Sequence, residues 1–276
     1  MIVLSELYLY PVKSLAGIQV TSWELDAFGL RFDRRWMVVT PAGKFMTQRE
    51  FPQMARIHPR LESGADGEVR LRLWHPELGE CEVPAARDRP RVRVIVWHDE
   101  VEAVAIDPTV DAWLAQALGV PCRLVFFPQE ACRQIDLSYA NPGERVAFAD
   151  GFPLLLIGQG SLDELNRKLV AKGKPKISMR RFRPNLVVAG AEAHAEDGWS
   201  QIKIGEVVLR VVKPCSRCVI TTVDPERGEF AGKEPLATLA TYRLRDNKIY
   251  FGQNLIHENL GSLRVGEPVQ VLSVRS

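Results

Sequence analysis

The amino-acid sequence predicts a β-dominated α+β protein. Three observations carry that prediction: short runs rich in Val, Ile, Leu and Trp recur along the chain, Gly or Pro separates them, and only two stretches keep helical spacing. At 276 residues, 46% of them hydrophobic, the chain has material for one large core or two modest ones.

Taken in order, residues 2–10, 18–25, 35–40, 68–74 and 91–97 read as strands and predict an antiparallel sheet or barrel. Pro41-Ala-Gly43 lies between two apolar runs and reads as a hairpin turn, because Gly adopts positive φ after a Pro-initiated bend. A helix is predicted over 109–118, where Val110, Trp113, Leu114 and Leu118 recur at spacings of three and four and Gly119 supplies the stop. Residues 152–157 read as a buried strand. The second helix is predicted over 161–171, with Ser161 as N-cap, Glu164 completing a capping box, and Leu162, Leu165 and Leu169 as the buried stripe. Residues 172–176 and 180–183 form a basic loop leading into a strand at 185–189. Further strands are expected at 202–204, 207–212, 219–223 and 269–274.

Charge bounds the partners. Lys and Arg number 36 against 34 Asp and Glu, so no global field recruits nucleic acid or an anionic membrane, and any anion site must be local. No stretch approaches the roughly 20 apolar residues that span a bilayer, and the N-terminus carries no basic, cleavable leader, so a soluble cytoplasmic protein without membrane insertion is expected. Five cysteines form an odd, sparse set that stays reduced in such a compartment.

The most specific local feature is Cys215-Ser-Arg-Cys218, which the predicted strands at 207–212 and 219–223 would place on a tight turn. Half of a zinc site, a redox dithiol and two structural cysteines are the rival readings. Zinc needs four ligands, and no second cysteine pair or His-x-x-x-His follows. A thioredoxin-type dithiol opens a helix, whereas the residues after Cys218 are β-formers. There remains a single thiolate, ligand or nucleophile, which Arg217 and Lys213 are close enough in sequence to favour; a soft thiolate suits a thiophilic metal.

A second group lies near the start: Tyr10-Pro-Val-Lys13-Ser14 with Gly17, then Asp33-Arg34-Arg35-Trp36, then Met46-Thr-Gln-Arg49. Each sets a cation or hydroxyl at or beside a strand end, where loops can converge on one anion. Lys offers a point charge, Arg a two-pronged fork, and Ser14 and Thr47 neutral donors. Each residue alone reads sooner as exposed surface charge, but together with Arg183 they favour a phosphate-bearing or otherwise anionic cofactor. The five histidines share no metal-ligand spacing, and no Gly-x-Gly-x-x-Gly, Walker loop or Gly-x-Ser-x-Gly elbow occurs.

Tyr10-Pro-Val-Lys-Ser14, Asp33-Arg-Arg-Trp36, Phe182-Arg-Pro-Asn185, the block from Cys215 to Pro225 and the stretch from Gly228 to Pro235, in this order, resemble the MOSC proteins, named after the molybdenum cofactor sulfurase C-terminal domain. The resemblance covers nearly the whole chain. It is to the two-part members with an N-terminal β-barrel domain, similar to the mitochondrial amidoxime-reducing component and to bacterial MOSC reductases. It implies a smaller N-terminal β-barrel-like domain at 1–120, a MOSC β-barrel domain at 121–276 and a few peripheral helices. It further implies that Cys218 coordinates molybdenum while Cys215 supports it, that Lys13, Ser14 and Arg34 hold the pterin and its phosphate from the N-terminal domain, and that Arg183, Asn185 and Ser216 approach from the MOSC domain. Thr47, Arg49, Asp224 and Gln253 fall in matching blocks without an assigned role.

The implied activity is molybdenum-cofactor oxidoreduction of small N-hydroxylated molecules, amidoximes and hydroxylamines. Some bacterial relatives carry a four-cysteine ferredoxin domain that is not found before the chain stops at Ser276, so an external electron-donor protein of the ferredoxin, flavodoxin or cytochrome b5 type is expected. No pyridoxal phosphate is expected. The alternatives are a sulfur carrier using a Cys218 persulfide and a non-catalytic carrier of molybdenum cofactor.

Overall fold

The protein, described by a computed structural model over residues 1–63 and 69–275, is built mainly of strands with three α-helices among those residues. The expected β-dominated α+β class is what the backbone adopts. Its largest element is a half-barrel sheet. Along it the strands run Ile18–Val20, Val3–Leu9, Leu186–Ala189, Leu154–Gly158, Lys248–His257, Val207–Ser216, Trp199–Ile204 and Val269–Val274, with Leu244–Arg245 paired onto the long Lys248–His257 strand. The first strand of the chain therefore lies inside a sheet otherwise made by its second half: Val3 to Leu7 pair antiparallel with Leu186 to Ala189. Leu4, Leu7, Leu156, Leu186, Ile202, Leu209 and Leu255 meet in its core with no measurable exposure.

A four-stranded antiparallel sheet, Trp36–Val39, Arg123–Phe126, Asp99–Ala105 and Arg91–Val96, and a three-stranded one, His58–Ser63, Val69–His75 and Gly79–Val83, make up much of the N-terminal half. Of the strand predicted at 68–74, Glu68 lies outside the described residues. Pro41-Ala-Gly43 makes its turn with Gly43 at φ +81° and the Lys44 carbonyl accepting from Thr40 N–H at 2.8 Å. The run predicted as one strand over 18–25 is two, Ile18–Val20 and Ser22–Asp26, which join different sheets.

Helix α1, Pro108–Leu118, starts as its sequence dictates: the Asp107 side chain accepts from the Thr109 N–H, and Gly119 at φ +72° closes it. Helix α2, Gln159–Ala171, connects the parallel strands Leu154–Gly158 and Leu186–Ala189. Leu162, Leu165 and Leu169 are its buried stripe, as predicted. Its N-terminus corrects the expected capping box. The helix starts two residues before Ser161 and has no side-chain cap. Ser161 is fully buried; its hydroxyl donates to Glu196 Oε1 at 2.7 Å and accepts from His194 N–H at 2.8 Å. Glu164 faces His194 and Lys168 instead. The sequence spacing was right for a box, but a buried carboxylate took the hydroxyl.

Residues 219–223 are also corrected. Val219–Thr222 is a 3₁₀ turn, and only Val223–Asp224 is extended. Thr221 donates its hydroxyl to Cys218 O at 3.0 Å and Thr222 to Val219 O at 2.7 Å. Each threonine satisfies a carbonyl three residues back, which stabilises a tight turn and overrides β-propensity. Helix α3, Leu236–Arg243, and the strand Lys248–His257 were not anticipated; the strand carries Gly252, Gln253 and Asn254 in its middle, which breaks the apolar signal.

The revised α2 N-terminus makes a stability prediction. Ser161→Ala leaves the buried Glu196 carboxylate with only the Gly158 N–H and removes the acceptor of the His194 N–H, and is expected to cost about 2 kcal/mol. Glu164→Ala, at an outer face, is expected to cost under about 1 kcal/mol. Urea unfolding of the two variants distinguishes them, and equal costs contradict the assignment.

Candidate functional site

Loops from both halves of the chain converge on one cavity of about 860 Å³. All seven residues singled out from the sequence line it: Lys13, Ser14, Arg34, Arg183, Asn185, Ser216 and Cys218. Seven Lys or Arg side chains against three Asp give its wall a positive balance, although the whole chain is nearly neutral. An anionic ligand is therefore favoured here.

The N-terminal residues are set by a backbone exchange. Arg34 N–H donates to Tyr10 O at 2.7 Å, Trp36 N–H to Pro11 O at 3.0 Å and Lys13 N–H to Trp36 O at 2.8 Å, so the segments after two strands are tied side by side. Tyr10 is the centre of the arrangement. Its ring carries both the Arg34 and the Arg183 guanidinium, each 4.3 Å from the ring centroid. Gly17 leaves room for that ring; a Cβ there would lie 2.4 Å from Tyr10 Cε1. Burial pushes the Tyr10 hydroxyl up to about 12, so the ring stays neutral.

Arg34 is oriented by neighbours. Its Nη1 pairs with the buried Asp33 and donates to Asn185 Oδ1 at 3.1 Å; its Nη2 donates to Arg183 O at 3.3 Å. Asn185, 1% exposed, also accepts from Leu155 N–H and donates to Tyr8 O, so its amide is committed to the protein. It lines the cavity as the group that holds Arg34. Arg183 donates Nη1 to Leu15 O at 2.6 Å, while its buried Nη2 has no partner. Burial lowers its pKa to about 10, which still leaves it cationic at neutral pH.

Lys13 is 5% exposed, donates to Phe148 O at 2.8 Å and pairs with Asp150. Burial pulls the ammonium pKa down and Asp150 opposes that pull. Burial alone would raise Asp150, but Lys13, then Arg49 and the Trp97 N–H, hold it below the usual carboxylate range. Arg133, 7% exposed, ties down the loop that presents Asp150 by donating to the carbonyls of Ala147, Ala149 and Asp150.

The cysteines occupy different elements. Cys215 is near the end of Val207–Ser216, whose pairing with Lys248–His257 slips between Val211 and Lys213 and again between Pro214 and Ser216. Such irregularities bend a strand and re-aim its side chains. Cys218 precedes the 3₁₀ turn. Thus only Cys218 sits on the connection, which corrects the expectation that both thiols share a turn between strands. The cations are corrected as well. Arg217 Nη1 donates to Cys215 Sγ at 3.0 Å and Nη2 to Phe182 O at 2.6 Å, and Lys213 lies over the Tyr139 ring at 4.3 Å. The cation at Cys218 is Arg49, whose Nη2 is 3.3 Å from Sγ. All five cysteines are free thiols. Among the described residues no group of three or more His, Cys, Asp or Glu could hold a metal.

Ser14 and Ser216 line the cavity with hydroxyls that bond no other side chain or backbone group among the described residues, and Ser216 is exposed. Thr47 accepts from Arg49 N–H at 3.2 Å, Asp224 pairs with Arg181 and accepts from the N–H groups of Glu226 and Arg227, and Gln253 bonds Asp197; these three act within the protein. Arg49 was visible as part of a cationic block but not as the partner of a thiol 169 positions away. Asp150 and Trp97 carried no sequence signal.

Comparison with known families gives two matches: a MOSC N-terminal beta barrel domain over residues 1–121 and a MOSC domain over residues 143–270. Among curated proteins the chain is 34% identical to human mitochondrial amidoxime-reducing component 1, over 97% of this chain and 82% of that protein. It is 35% identical to rat mitochondrial amidoxime reducing component 2, over 96% of this chain and 82% of that protein. It is 31% identical to the rice molybdenum cofactor sulfurase, over 93% of this chain and 33% of that longer protein.

Asn185 gives this subsection its prediction. Asn185→Ala strands the Tyr8 carbonyl and the Leu155 N–H and frees Arg34, and it is expected to lower stability by about 2–4 kcal/mol in chemical denaturation. A change below about 1 kcal/mol would show that the amide does not hold the site together.

Proposed function

The chain belongs to the MOSC family, and on that premise we propose that it is a molybdenum-cofactor oxidoreductase that reduces N-hydroxylated compounds, amidoximes and hydroxylamines, with Cys218 as the protein's ligand to the metal. One observation carries the reading: a free thiol opens onto the same cavity as a set of buried cations from both halves of the chain. The names of the relatives, an amidoxime-reducing component and a molybdenum cofactor sulfurase, support it.

The residues fit an anionic, phosphate-bearing cofactor. Lys13 and Arg34 would meet it from the N-terminal half with charges fixed by Asp150, Asp33 and Asn185; Ser14 adds an open hydroxyl. Arg183, with its unpartnered Nη2, and Ser216 would meet it from the C-terminal half. A buried donor without a partner costs stability, and a bound anion would remove that cost. Cys218 would supply one soft donor to the metal, and Arg49 would keep that sulfur hydrogen-bonded.

When bound, the molybdenum cofactor would supply the two-electron redox chemistry that the substrate's reduction needs. The overall change breaks one N–O bond, takes up two electrons and two protons, and releases one water. The electrons would come from an external donor protein of the ferredoxin, flavodoxin or cytochrome b5 type. The free thiols suit a reducing compartment such as the cytoplasm, and no helix of the described chain is long and apolar enough to cross a membrane.

The test is metal and turnover together. Protein from a cofactor-competent host is expected to hold molybdenum and to reduce a simple amidoxime with a chemical electron donor, and Cys218→Ala is expected to lose both. Metal-free protein bearing a labile sulfur on Cys218 would instead make the chain a sulfur carrier.

A further inference from the structure

Trp97 occupies a backbone position ill suited to it. It lies in the turn between Arg91–Val96 and Asp99–Ala105, where Val96 pairs directly with Asp99. Its φ is +58°, a left-handed conformation that Gly, Asn or Asp adopts far more readily than a bulky side chain. Backbone of this kind in a non-glycine residue concentrates at functional sites. Ser14, Arg34 and Arg183, all on the same cavity wall, are left-handed too, at φ +66°, +48° and +55°.

The indole is not there to fill a core. It is 39% exposed and lines the cavity. It is nevertheless fixed. The Phe45 ring lies 5.0 Å away at 53°, the Arg49 guanidinium 4.7 Å from its centroid, and its Nε1–H donates to Asp150 Oδ1 at 3.2 Å. Arg49 continues to Cys218 Sγ. An immobilised indole, with Arg49 over one face and part of its surface exposed, therefore lines the cavity one side chain away from the thiol. The indole is held by Phe45, Arg49 and Asp150.

We propose that Trp97 is a substrate platform that receives the flat carbon frame of the substrate and selects planar aromatic N-hydroxylated compounds over small aliphatic ones. The inference rests on the reductase reading for its substrate class. An aryl group conjugated to an amidoxime is flat and stacks on an indole; the amidine formed by reduction becomes a planar cation, which an aromatic face and a neighbouring carboxylate both attract. An aliphatic amidoxime has the same reacting group but no ring to stack. Trp97 thus acts on binding, while the reducible N–O group is common to both.

The experiment compares benzamidoxime with acetamidoxime on the cofactor-loaded protein, by calorimetric binding and by KM and kcat, in wild type, Trp97→Gly and Trp97→Phe. Glycine suits the left-handed backbone, so the turn survives loss of the indole. Trp97→Gly, which also releases Asp150 and Arg49, is expected to weaken benzamidoxime binding roughly fivefold more than acetamidoxime binding, and to raise KM rather than lower kcat. Trp97→Phe is expected to restore most of the affinity. Equal weakening of both probes overturns the platform. Molybdenum loss in Trp97→Gly that Trp97→Phe reverses also overturns it, because a ring that retains the metal is part of the cofactor site. Protein that binds as expected but reduces neither probe sinks the reductase reading and leaves the platform; protein that reduces both, indifferent to Trp97, does the reverse.

Discussion

Two guanidinium groups, one from each half of the chain, stand over a single tyrosine ring, and their mutual repulsion has to be offset inside the protein. The offset comes from several directions. Asp33 pairs with Arg34 and also accepts from Tyr10 N–H, the ring of Tyr10 attracts both cations, and Asn185 and Leu15 supply oxygen acceptors. A cation over such a ring contributes about 0.5–2 kcal/mol. The buried Arg183 Nη2 remains without a partner, so the arrangement is positive by construction. A site that must receive an anion has to carry that imbalance.

The same constraint explains why the N-terminal strand belongs to the large sheet. Val3–Leu9 pairs with Leu186–Ala189, which places Tyr10 immediately after one strand and Asn185 immediately before its neighbour. Tyr8 N–H donates to Asn185 O and Asn185 Nδ2 to Tyr8 O. Sheet pairing thereby sets the two cationic loops to within hydrogen-bonding reach. On the other side of the cavity the strand irregularities around Lys213 and Pro214 turn Cys218 toward Arg49. Packing forms the frame, and backbone in the left-handed region at Ser14, Arg34, Trp97 and Arg183 aims the side chains from it.

Much of this was legible in the sequence, in the places where local chemistry decides. Helix α1 declared itself through the spacing of Val110, Leu114 and Leu118 and its end through Gly119, while the Asp107 cap that starts it one residue earlier was not read from the sequence. The Cys215 to Pro225 block and the Lys13, Arg34 and Arg183 cations could be grouped through the resemblance to the MOSC proteins, which residue type alone did not supply. What was hidden depended on contacts across long separations. Arg49 and Cys218 meet 169 positions apart, and the sequence suggested Arg217 and Lys213 because they are near in number only. Ser161 looked like a cap until a buried Glu196 claimed its hydroxyl. Val219-Ile-Thr-Thr looked like a strand because β-propensity is counted before side chains find carbonyls to bond, which Thr221 and Thr222 do. The Lys248–His257 strand was concealed by polar residues, of which Gln253 is fully buried and bonded to Asp197 and Arg275.

The central claim is that a cationic cavity seats molybdenum cofactor and that the protein completes the metal's coordination through one sulfur, that of Cys218. X-ray absorption at the molybdenum edge, on protein isolated from a cofactor-competent host, tests it most directly. The account predicts that Cys218→Ser, where it retains metal, has one sulfur scatterer fewer than wild type and an oxygen in its place, while Cys215→Ser is unchanged from wild type. Identical sulfur shells in wild type and Cys218→Ser, or loss of the sulfur in Cys215→Ser alone, would contradict it.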